Sequence, residues 1–466
     1  MSNNPRRHKH ISSQFDNLPP QLMTNCTQKD YINILKESHW NNDYRNEVYK
    51  NYLEVSFIDD IAHSDYTCSI AMSLVYRYIL PDFFKSKGLN IDKITVTDSD
   101  GDYAASFSSI EVAPDQKESR LSYGDYFVSD GDKKYIVHLE SQYPDAFLFK
   151  IGGKKGTNLD GLLEEMVKYG EDHNFLKGKK IDPNCNFVKF NHKFTWDDLI
   201  LPENIKTEIQ MNLKNLIEYR EVYKANGLSV RRGLILSGQP GTGKTVLAKI
   251  LCNQIDWTFL WVTSKNLENA KRVAQIVSLA RDLSPTVLFL EDIDLFGGSR
   301  EENNNPMMLG ELLNQMDGIE ENTDIIIIGS TNNKDVLEKA LVSRPGRFDK
   351  VIDFPLPDYP ERLKMLKVFS NGLIDENLPF LDIVAREYSK KMTGAQVKEL
   401  LHMAIIFAID EKAYDENQKL LLTEDHFKSA VKAVKGKDFS QAVGFNPTGK
   451  FTPLGRNLDD CLPDFD

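Results

Sequence analysis

A run of eight residues near the middle of the chain has the composition and spacing of a phosphate-binding loop. It fits the pattern G-x-x-x-x-G-K-[ST] and consists of Gly238-Gln239-Pro240-Gly241-Thr242-Gly243-Lys244-Thr245. Glycines in such a loop let backbone N–H groups approach phosphate oxygens, and the N-terminus of the following helix adds positive potential. Lys244 would reach the β- and γ-phosphates, and Thr245 would bind Mg²⁺. These eight residues and Val246 form the predicted ATP site.

Two acidic residues, Glu291 and Asp292, follow an apolar run at 287–290. A strand that ends in acids places carboxylates at the carboxyl edge of a parallel sheet, beside the phosphate-binding loop. One acid would hold Mg²⁺, directly or through water, and the other would polarise the attacking water. The pair and the loop together predict an ATPase.

Short apolar runs predict the strands that position these residues. The runs alternate with helical patterns and lie at 234–236, 259–262, 287–290, 325–328 and 351–354. Such alternation is typical of a parallel sheet with helices on both faces. After Pro357 the pattern is helical up to about residue 434.

The residues before this region predict a separate α+β unit. The expected elements of this unit, which ends at about residue 156, are a helix at 66–80 and strands at 94–97, 103–112, 123–129 and 133–141. A helix at 159–169 and a polar connector at 178–191 are expected to follow it. Asp130-Gly131 predicts a β-hairpin between the last two strands, because this dipeptide accommodates the positive φ angles of a tight turn. The unit carries no catalytic motif.

The composition limits the classes of partner. Of 466 residues, 57 are Lys or Arg and 69 are Asp or Glu, a net charge of −12 that argues against broad nucleic-acid or membrane binding. No apolar run approaches the roughly 20 residues that span a bilayer, and residues 1–15 lack the apolar core of a secretory signal. Five dispersed cysteines are typical of reduced thiols, so a cytoplasmic location is predicted.

Further motifs show that residues from about 194 to 435 resemble the AAA ATPase module. The matching segments are Leu312-Leu313-Asn314-Gln315-Met316-Asp317-Gly318, Gly329-Ser330-Thr331-Asn332, Ser343-Arg344-Pro345-Gly346-Arg347-Phe348-Asp349 and Thr393-Gly394-Ala395. The resemblance implies an α/β P-loop core with a parallel sheet and a C-terminal helical lid, preceded by a small α+β domain.

The resemblance also assigns roles to three further residues. Asn332 occupies the sensor-1 position, where its amide would orient the lytic water or contact the γ-phosphate. Arg344 and Arg347 match the paired arginine fingers, which would act on the nucleotide of a neighbouring subunit. The chain is therefore expected to form a homo-oligomeric ring, a hexamer in most of the family.

Two departures from the family pattern affect the expected mechanism. Most members have Asp-Glu after the acidic strand, whereas this chain has Glu291-Asp292. Alignment on the apolar run gives the Mg²⁺ role to Glu291 and the water-activating role to Asp292, an order that also occurs in the similar Bcs1-like branch. The second departure is the pore segment at 261–271, which has no aromatic residue after Trp261.

The aromatic residues before that segment suggest packing rather than substrate grip. Trp257, Phe259 and Trp261 alternate and are predicted to face one side of a buried strand. A later segment at 297–308 is the alternative pore lining, although its Pro and two Met residues are typical of packing at a helix start.

The expected organisation has six parts. They are a disordered tail at 1–40, a recognition domain at 41–156, a helix and connector at 157–193, the α/β subdomain at 194–356, the lid at 357–435 and a tail at 436–466. The leading hypothesis is a ring ATPase that remodels or moves a macromolecule, a protein bound through the N-terminal domain. The alternatives are a nucleotide-gated scaffold with slow or no hydrolysis, and a nucleic-acid motor, which the net charge disfavours.

Overall fold

A computed structural model of the protein describes nine segments of the chain. They are residues 43–98, 101–142, 146–267, 269–295, 306–318, 324–333, 348–370, 380–416 and 419–435. The predicted tails at 1–40 and 436–466 lie outside these segments.

The N-terminal part of the structure contains an antiparallel sheet and three helices within the described residues. In chain order its elements are α1 Asp43–Leu53, β1 Ile61–Ser69, α2 Ile70–Ser86, β2 Asn90–Asp98, β3 Gly101–Tyr103, β4 Ser106–Ala113, β5 Gln116–Ser129, β6 Lys134–Gln142, β7 Ala146–Lys154 and α3 Leu159–Asp172. The strand order is β1-β7-β6-β5-β2-β3, and β4 pairs with β5.

The structure confirms the predicted hairpin and corrects the predicted first helix. Strands β5 and β6 pair antiparallel around Asp130-Gly131. The helix expected from Tyr66 begins only at Ile70, because residues 66–69 pair with β7 as the end of β1. Ser69 then starts the helix, since its Oγ accepts a hydrogen bond from Met72 N at 3.2 Å. The strand expected at 103–112 is divided between β3 and β4.

A buried polar group lies on the face of the antiparallel sheet that α1 covers. Tyr49 Oη donates to Asp125 Oδ1 at 2.8 Å, and His138 Nδ1 donates to the same oxygen at 2.7 Å. The Glu140 carboxylate lies 3.7 Å from His138 Nε2. Burial lowers the pKa of His138, but the two carboxylates outweigh burial and hold that pKa above its usual value.

This group predicts a pH-dependent contribution to stability. Because the pKa of His138 is raised by folding, the imidazolium stabilises the fold fully below the unfolded-state pKa, and this contribution is lost as pH rises through the folded-state pKa. We expect His138→Gln to lower the free energy of unfolding by about 3 kcal/mol at pH 6, and by less at pH 9. Denaturant unfolding at both pH values measures the difference. The exposed His402→Gln is the control, and a difference that grows with pH would contradict the assignment.

The second part of the structure is built on a parallel sheet. Its elements are β8 Lys180–Ile181, α4 Glu203–Ile209, α5 Asn215–Glu218, α6 Arg220–Ala225, β9 Arg232–Ser237, α7 Lys244–Gln254, β10 Thr258–Val262, α8 Ala270–Asp282, β11 Thr286–Leu290, α9 Pro306–Asp317, β12 Ile325–Thr331 and β13 Lys350–Asp353. The strand order is β13-β9-β12-β11-β10-β8, and all pairs are parallel.

The parallel sheet confirms the five strands predicted from the apolar runs. It also contains β8, which lies in the segment expected to be a polar connector. Lys180 Nζ donates to Trp257 O at 2.8 Å, and Ile181 is fully buried, so the connector adds an edge strand beside β10. Two residues are too few to produce a recognisable strand pattern in the sequence.

Apolar side chains cover both faces of the parallel sheet. One face packs against α7, and here Trp257, Phe259 and Trp261 share a single apolar cluster, as the alternation predicted. The other face packs against α8 and α9 in a cluster that continues into α2 and α3 of the antiparallel part. The two parts of the described structure therefore share one continuous core.

The C-terminal part is helical, as predicted from Pro357 onward. Its helices are α10 Tyr359–Ser370, α11 Phe380–Ile383, α12 Gly394–Asp410 and α13 Glu424–Lys435, which bury a separate apolar cluster. In the described segments, no helix combines the length and the apolar character needed to cross a membrane.

Candidate nucleotide-binding site

The glycine-rich loop connects β9 to α7 at the carboxyl edge of the parallel sheet. Gly241 has φ +81°, and a Cβ added there would lie 2.6 Å from the Ala395 side chain, so the position requires glycine. Thr242 Oγ1 donates to Gln239 O at 2.8 Å and fixes the turn. Helix α7 begins at Lys244, which directs its N-terminal N–H groups toward the loop.

The Lys244 ammonium lies inside the loop and is almost fully buried. Its Nζ donates to Gly238 O at 2.6 Å, to Gln239 O at 3.0 Å and to Asn332 Oδ1 at 2.9 Å. Burial lowers the pKa of Lys244, while Asp292 and Asp294 oppose that change. The charge is therefore held at the point where phosphates of a bound nucleotide would lie.

Thr245 and Glu291 form a pair of oxygen donors beside the loop. Thr245 Oγ1 donates to Glu291 Oε1 at 3.0 Å, and Glu291 N donates to Val262 O at 2.8 Å, which holds the residue in line with the sheet. A hydroxyl and a carboxylate are ligands that Mg²⁺ accepts in phosphate-binding sites, where one or two protein oxygens suffice. These two residues fit the expected Mg²⁺ site.

Asp292 lies next to this pair in a left-handed backbone conformation, with φ +52°. Ser330 Oγ, on the neighbouring strand β12, accepts a hydrogen bond from Asp292 N at 3.0 Å and supports this conformation. A non-glycine residue at positive φ is uncommon and is often found at functional sites.

The environment of Asp292 makes its carboxylate more basic than usual. Burial raises its pKa most, followed by the charges of Asp294 and Glu291, whereas Lys244 and Asn332 oppose the change. Asn332 Nδ2 donates to Asp292 Oδ1 at 3.2 Å, and its backbone N donates to Asp294 Oδ1 at 3.2 Å. Asn332 thus connects Asp292 to Lys244.

The helical part contacts the loop directly. Ala395 N donates to Gly241 O at 3.1 Å, and Thr393 caps α12 by accepting from Gln396 N at 3.3 Å. Arg362 Nη1 donates to Pro357 O at 2.6 Å, which fixes the junction between the sheet and the helices. The segment predicted to belong to a lid therefore touches the nucleotide-binding loop.

The structure brings most of the predicted site residues together. Lys244, Asn332 and Asp292 form one hydrogen-bonded set at the sheet edge, and Thr245 and Glu291, which follow Lys244 and precede Asp292 in the chain, form a second hydrogen-bonded pair beside it. The loop residues from Gly238 to Gly243 precede Lys244, and its Nζ donates to Gly238 O and Gln239 O. Val246 follows on α7, partly buried against the apolar cluster. Arg344 and Arg347 lie outside the described residues.

Three residues of the site were not predicted from the sequence. Ser330 and Asp294 contact Asp292 and Asn332, and Trp261 Nε1 donates to Glu291 Oε2 at 3.3 Å. Ser330 and Trp261 lie near the carboxyl ends of β12 and β10, where polar groups are expected to reach the edge. Their positions near the ends of predicted strands could therefore have identified Ser330 and Trp261 as site residues.

This fold and site define an ATP-binding α/β domain of the P-loop class. Residues 234–356 match the family described as "ATPase family associated with various cellular activities (AAA)". This part of the chain is an AAA domain, and it contains every site residue named above except those contributed by the helical part.

Similarity to individual proteins extends over a longer stretch of the chain. The proteasome-activating nucleotidase of Thermococcus kodakarensis is 33% identical over 262 residues, covering 53% of this chain and 63% of the relative. The 26S proteasome regulatory subunit 8 homolog B of Arabidopsis thaliana is 32% identical over 278 residues, covering 56% of this chain and 64% of the relative. The ATP-dependent zinc metalloprotease FtsH of Mesomycoplasma conjunctivae is 34% identical over 238 residues, covering 48% of this chain and 31% of the relative. The chain thus spans less than two thirds of each of these relatives.

Proposed function

We propose that the chain hydrolyses ATP in the presence of Mg²⁺ and couples turnover to the remodelling or movement of a protein substrate. The observation that carries the proposal is a group of five site residues at one sheet edge, in which Lys244 is linked to Asn332 and Asp292, and Thr245 is linked to Glu291. The names of the relatives support a protein substrate, since one activates proteasomes and another is an ATP-dependent protease.

Each residue of the group has a separate task in this proposal. Lys244 supplies positive charge to the β- and γ-phosphates, and Thr245 and Glu291 hold Mg²⁺. Bound Mg²⁺ neutralises the charge that develops on the phosphates. Asp292 accepts the proton of the attacking water, and its raised pKa favours that role near neutral pH. The Asn332 amide orients the water.

The proposed active form is a homo-oligomeric ring, with six subunits as the expected number. The support is the family motif at 343–349, in which Arg344 and Arg347 match residues that complete a neighbour's site. Positive charge from a second subunit would stabilise the transition state of phosphoryl transfer. Nucleotide turnover would then depend on contact between subunits.

We propose that substrate is recognised by the N-terminal domain at 41–156 and handled at the face of the ring rather than threaded. The segment after β10 supports this, because it folds into the short turn Ser264–Asn266, in which Thr263 N donates to Asn266 Oδ1 at 2.9 Å. Leu267 is buried and Lys265 is the exposed side chain of the turn, so the segment exposes no aromatic or large apolar side chain between Thr263 and Leu267. Movement would pass to the N-terminal domain through the shared core beside α8.

The structure describes only the end of the alternative pore segment, residues 306–308. Met308 is buried near the start of α9, which is consistent with packing at the helix start. Residues 297–305 lie outside the described segments. We therefore keep face-of-ring handling as the proposal and substrate grip by 297–308 as its alternative.

We also propose that the module belongs to the Bcs1-like branch of the family. The support is the order Glu291-Asp292 after the acidic strand. None of the three relatives reported above is named for that branch.

Subunit mixing tests the shared site. We expect Arg344→Ala and Arg347→Ala to bind ATP and to hydrolyse it about 10³-fold more slowly, the effect of losing an arginine finger. Mixing Arg347→Ala subunits with Lys244→Ala subunits should recover part of the turnover, because each lacks a different half of the site. Steady-state phosphate release by the mixed protein measures the recovery.

The control mixture combines Arg347→Ala subunits with Lys244→Ala/Arg347→Ala subunits, which cannot form a complete site. Equal turnover in the two mixtures would contradict the shared site. Ring assembly on ATP binding without turnover by the wild-type chain would instead favour the nucleotide-gated scaffold. Turnover stimulated by DNA or RNA and lost at high salt would favour the nucleic-acid motor.

A further inference from the structure

Both carboxylate oxygens of Glu291 are held by different neighbours. Oε1 accepts a hydrogen bond from Thr245 Oγ1 at 3.0 Å, and Oε2 accepts one from Trp261 Nε1 at 3.3 Å. Thr245 lies on the loop side of the site, whereas Trp261 lies at the carboxyl end of β10. The carboxylate is therefore fixed from two directions.

The sheet register and aromatic packing explain how Trp261 reaches this position. In the parallel pairing of β10 with β11, Trp261 lies opposite Phe289. Phe289 precedes Glu291 by two residues in the chain. Its ring packs edge-on against Phe289 at a centroid distance of 4.8 Å and against Phe190 at 5.5 Å. Only 8% of Trp261 is exposed. The indole cannot turn freely, so the direction of its N–H is set by the core.

The Trp261 contact matters because the acid at position 291 is Glu rather than Asp. Glu has one methylene and one torsion more than Asp, so a single hydrogen bond to Thr245 would leave its carboxylate more rotational freedom. A buried indole N–H also requires an acceptor, and Glu291 supplies it. The Trp261 contact thus restricts the freedom that the longer acid introduces.

We propose that Trp261 is a positioning residue that fixes the Glu291 carboxylate beside Thr245 for Mg²⁺ binding. The inference rests on the metal role proposed above for Glu291. Partners that orient a metal ligand commonly change metal affinity by about 10- to 100-fold when removed. Trp261→Phe keeps an aromatic ring in the core and removes only the donor and part of the ring.

The test measures nucleotide binding by the full-length chain rather than turnover. Calorimetric titration with adenylyl-imidodiphosphate, in EDTA and in Mg²⁺, gives the Mg²⁺-dependent gain in affinity. For Trp261→Phe we expect affinity in EDTA within about twofold of wild type and a Mg²⁺-dependent gain reduced by about tenfold. A gain equal to that of wild type would overturn the inference.

Two further variants separate positioning from a general packing effect. Trp257→Phe removes an indole N–H from the same apolar cluster, four residues earlier and about 13 Å away along the chain, and should leave the gain unchanged. Glu291→Asp shortens the side chain by one methylene and withdraws its carboxylate from Trp261. In that background, adding Trp261→Phe should lower the Mg²⁺-dependent gain in affinity by less than a further factor of two. Equal losses in Trp257→Phe and Trp261→Phe, or independent effects in the double variant, would overturn the inference.

The same titrations distinguish this inference from the proposed function. A Mg²⁺-dependent gain that is present in wild type and reduced in Trp261→Phe supports the positioning role even if the chain does not hydrolyse ATP. A wild-type chain that binds the nucleotide without any Mg²⁺-dependent gain would overturn both the metal role of Glu291 and the positioning role of Trp261.

Discussion

Lys244→Ala is expected to abolish detectable nucleotide binding and, with it, all turnover. The Lys244 ammonium is buried inside the loop and is held by Gly238 O, Gln239 O and Asn332 Oδ1. Its removal would leave the buried phosphate site without its central positive charge, and hydrogen bonds to charged groups contribute about 1.5–3 kcal/mol each. Titration with a fluorescent ATP analogue should therefore show no saturable binding, which corresponds to affinity lowered by at least about 100-fold.

The control for this result is Lys249→Ala, on the same helix. Lys249 Nζ lies 4.9 Å from the centre of the Phe194 ring and is not part of the hydrogen-bonded group at the loop. The substitution removes the same charge from α7, so an effect of net charge alone would appear in both variants. Nucleotide affinity of Lys244→Ala within threefold of the control would show that the loop does not bind phosphates as proposed.

Asp292→Asn is expected to bind ATP with Mg²⁺ and to lose nearly all turnover. The amide fills the same space but cannot accept a proton from water, and a general base contributes about 10²–10⁴-fold to the rate. The backbone support from Ser330 Oγ is unchanged because it contacts Asp292 N. We expect kcat to fall by at least about 100-fold and nucleotide affinity to change less than threefold, as measured by phosphate release and by titration.

Two variants show whether the acids have the assigned roles. Asp294→Asn is the matched control, since Asp294 lies in the same turn and its side-chain oxygen can still accept from Asn332 N. It should retain much more turnover than Asp292→Asn. The assignment of the two acids is reversed if Asp292→Asn hydrolyses at the wild-type rate while Glu291→Gln binds but is inactive.

The inactive Asp292→Asn chain also offers a way to identify the substrate. A ring that binds ATP without turnover should hold its substrate longer than the wild-type ring, because release would require hydrolysis. Proteins that co-purify with Asp292→Asn in ATP, and not with Lys244→Ala, would be the candidates.

The sequence predicted the parts of the site that depend on local pattern. The loop, its helix and the acids after β11 are each contiguous in the chain, and the apolar runs located five strands of the parallel sheet. The alternation of Trp257, Phe259 and Trp261 correctly predicted a buried strand face. Period and spacing are sufficient for such features, because the neighbours concerned are adjacent in sequence.

Contacts set by the pairing of distant strands could not be predicted in the same way. Trp261 reaches Glu291 because β10 and β11 pair in a particular register, and Ser330 reaches Asp292 from β12. The alternation at 257–261 predicts only the core role of Trp261, whereas in the structure its ring packs in the core and its N–H contacts the site. Tyr66 was assigned to a helix because apolar content does not distinguish a buried strand from a buried helix.

The most direct test of the ring ATPase proposal follows specific activity and molar mass together as the full-length protein is diluted. Phosphate release per subunit is measured with ATP and Mg²⁺ across the concentration range in which light scattering detects changes in mass. If Arg344 and Arg347 complete a neighbour's site, specific activity should fall in parallel with the loss of oligomer, and the monomer should bind ATP with little turnover. A fully monomeric chain with undiminished, Mg²⁺-dependent ATPase activity would contradict the account.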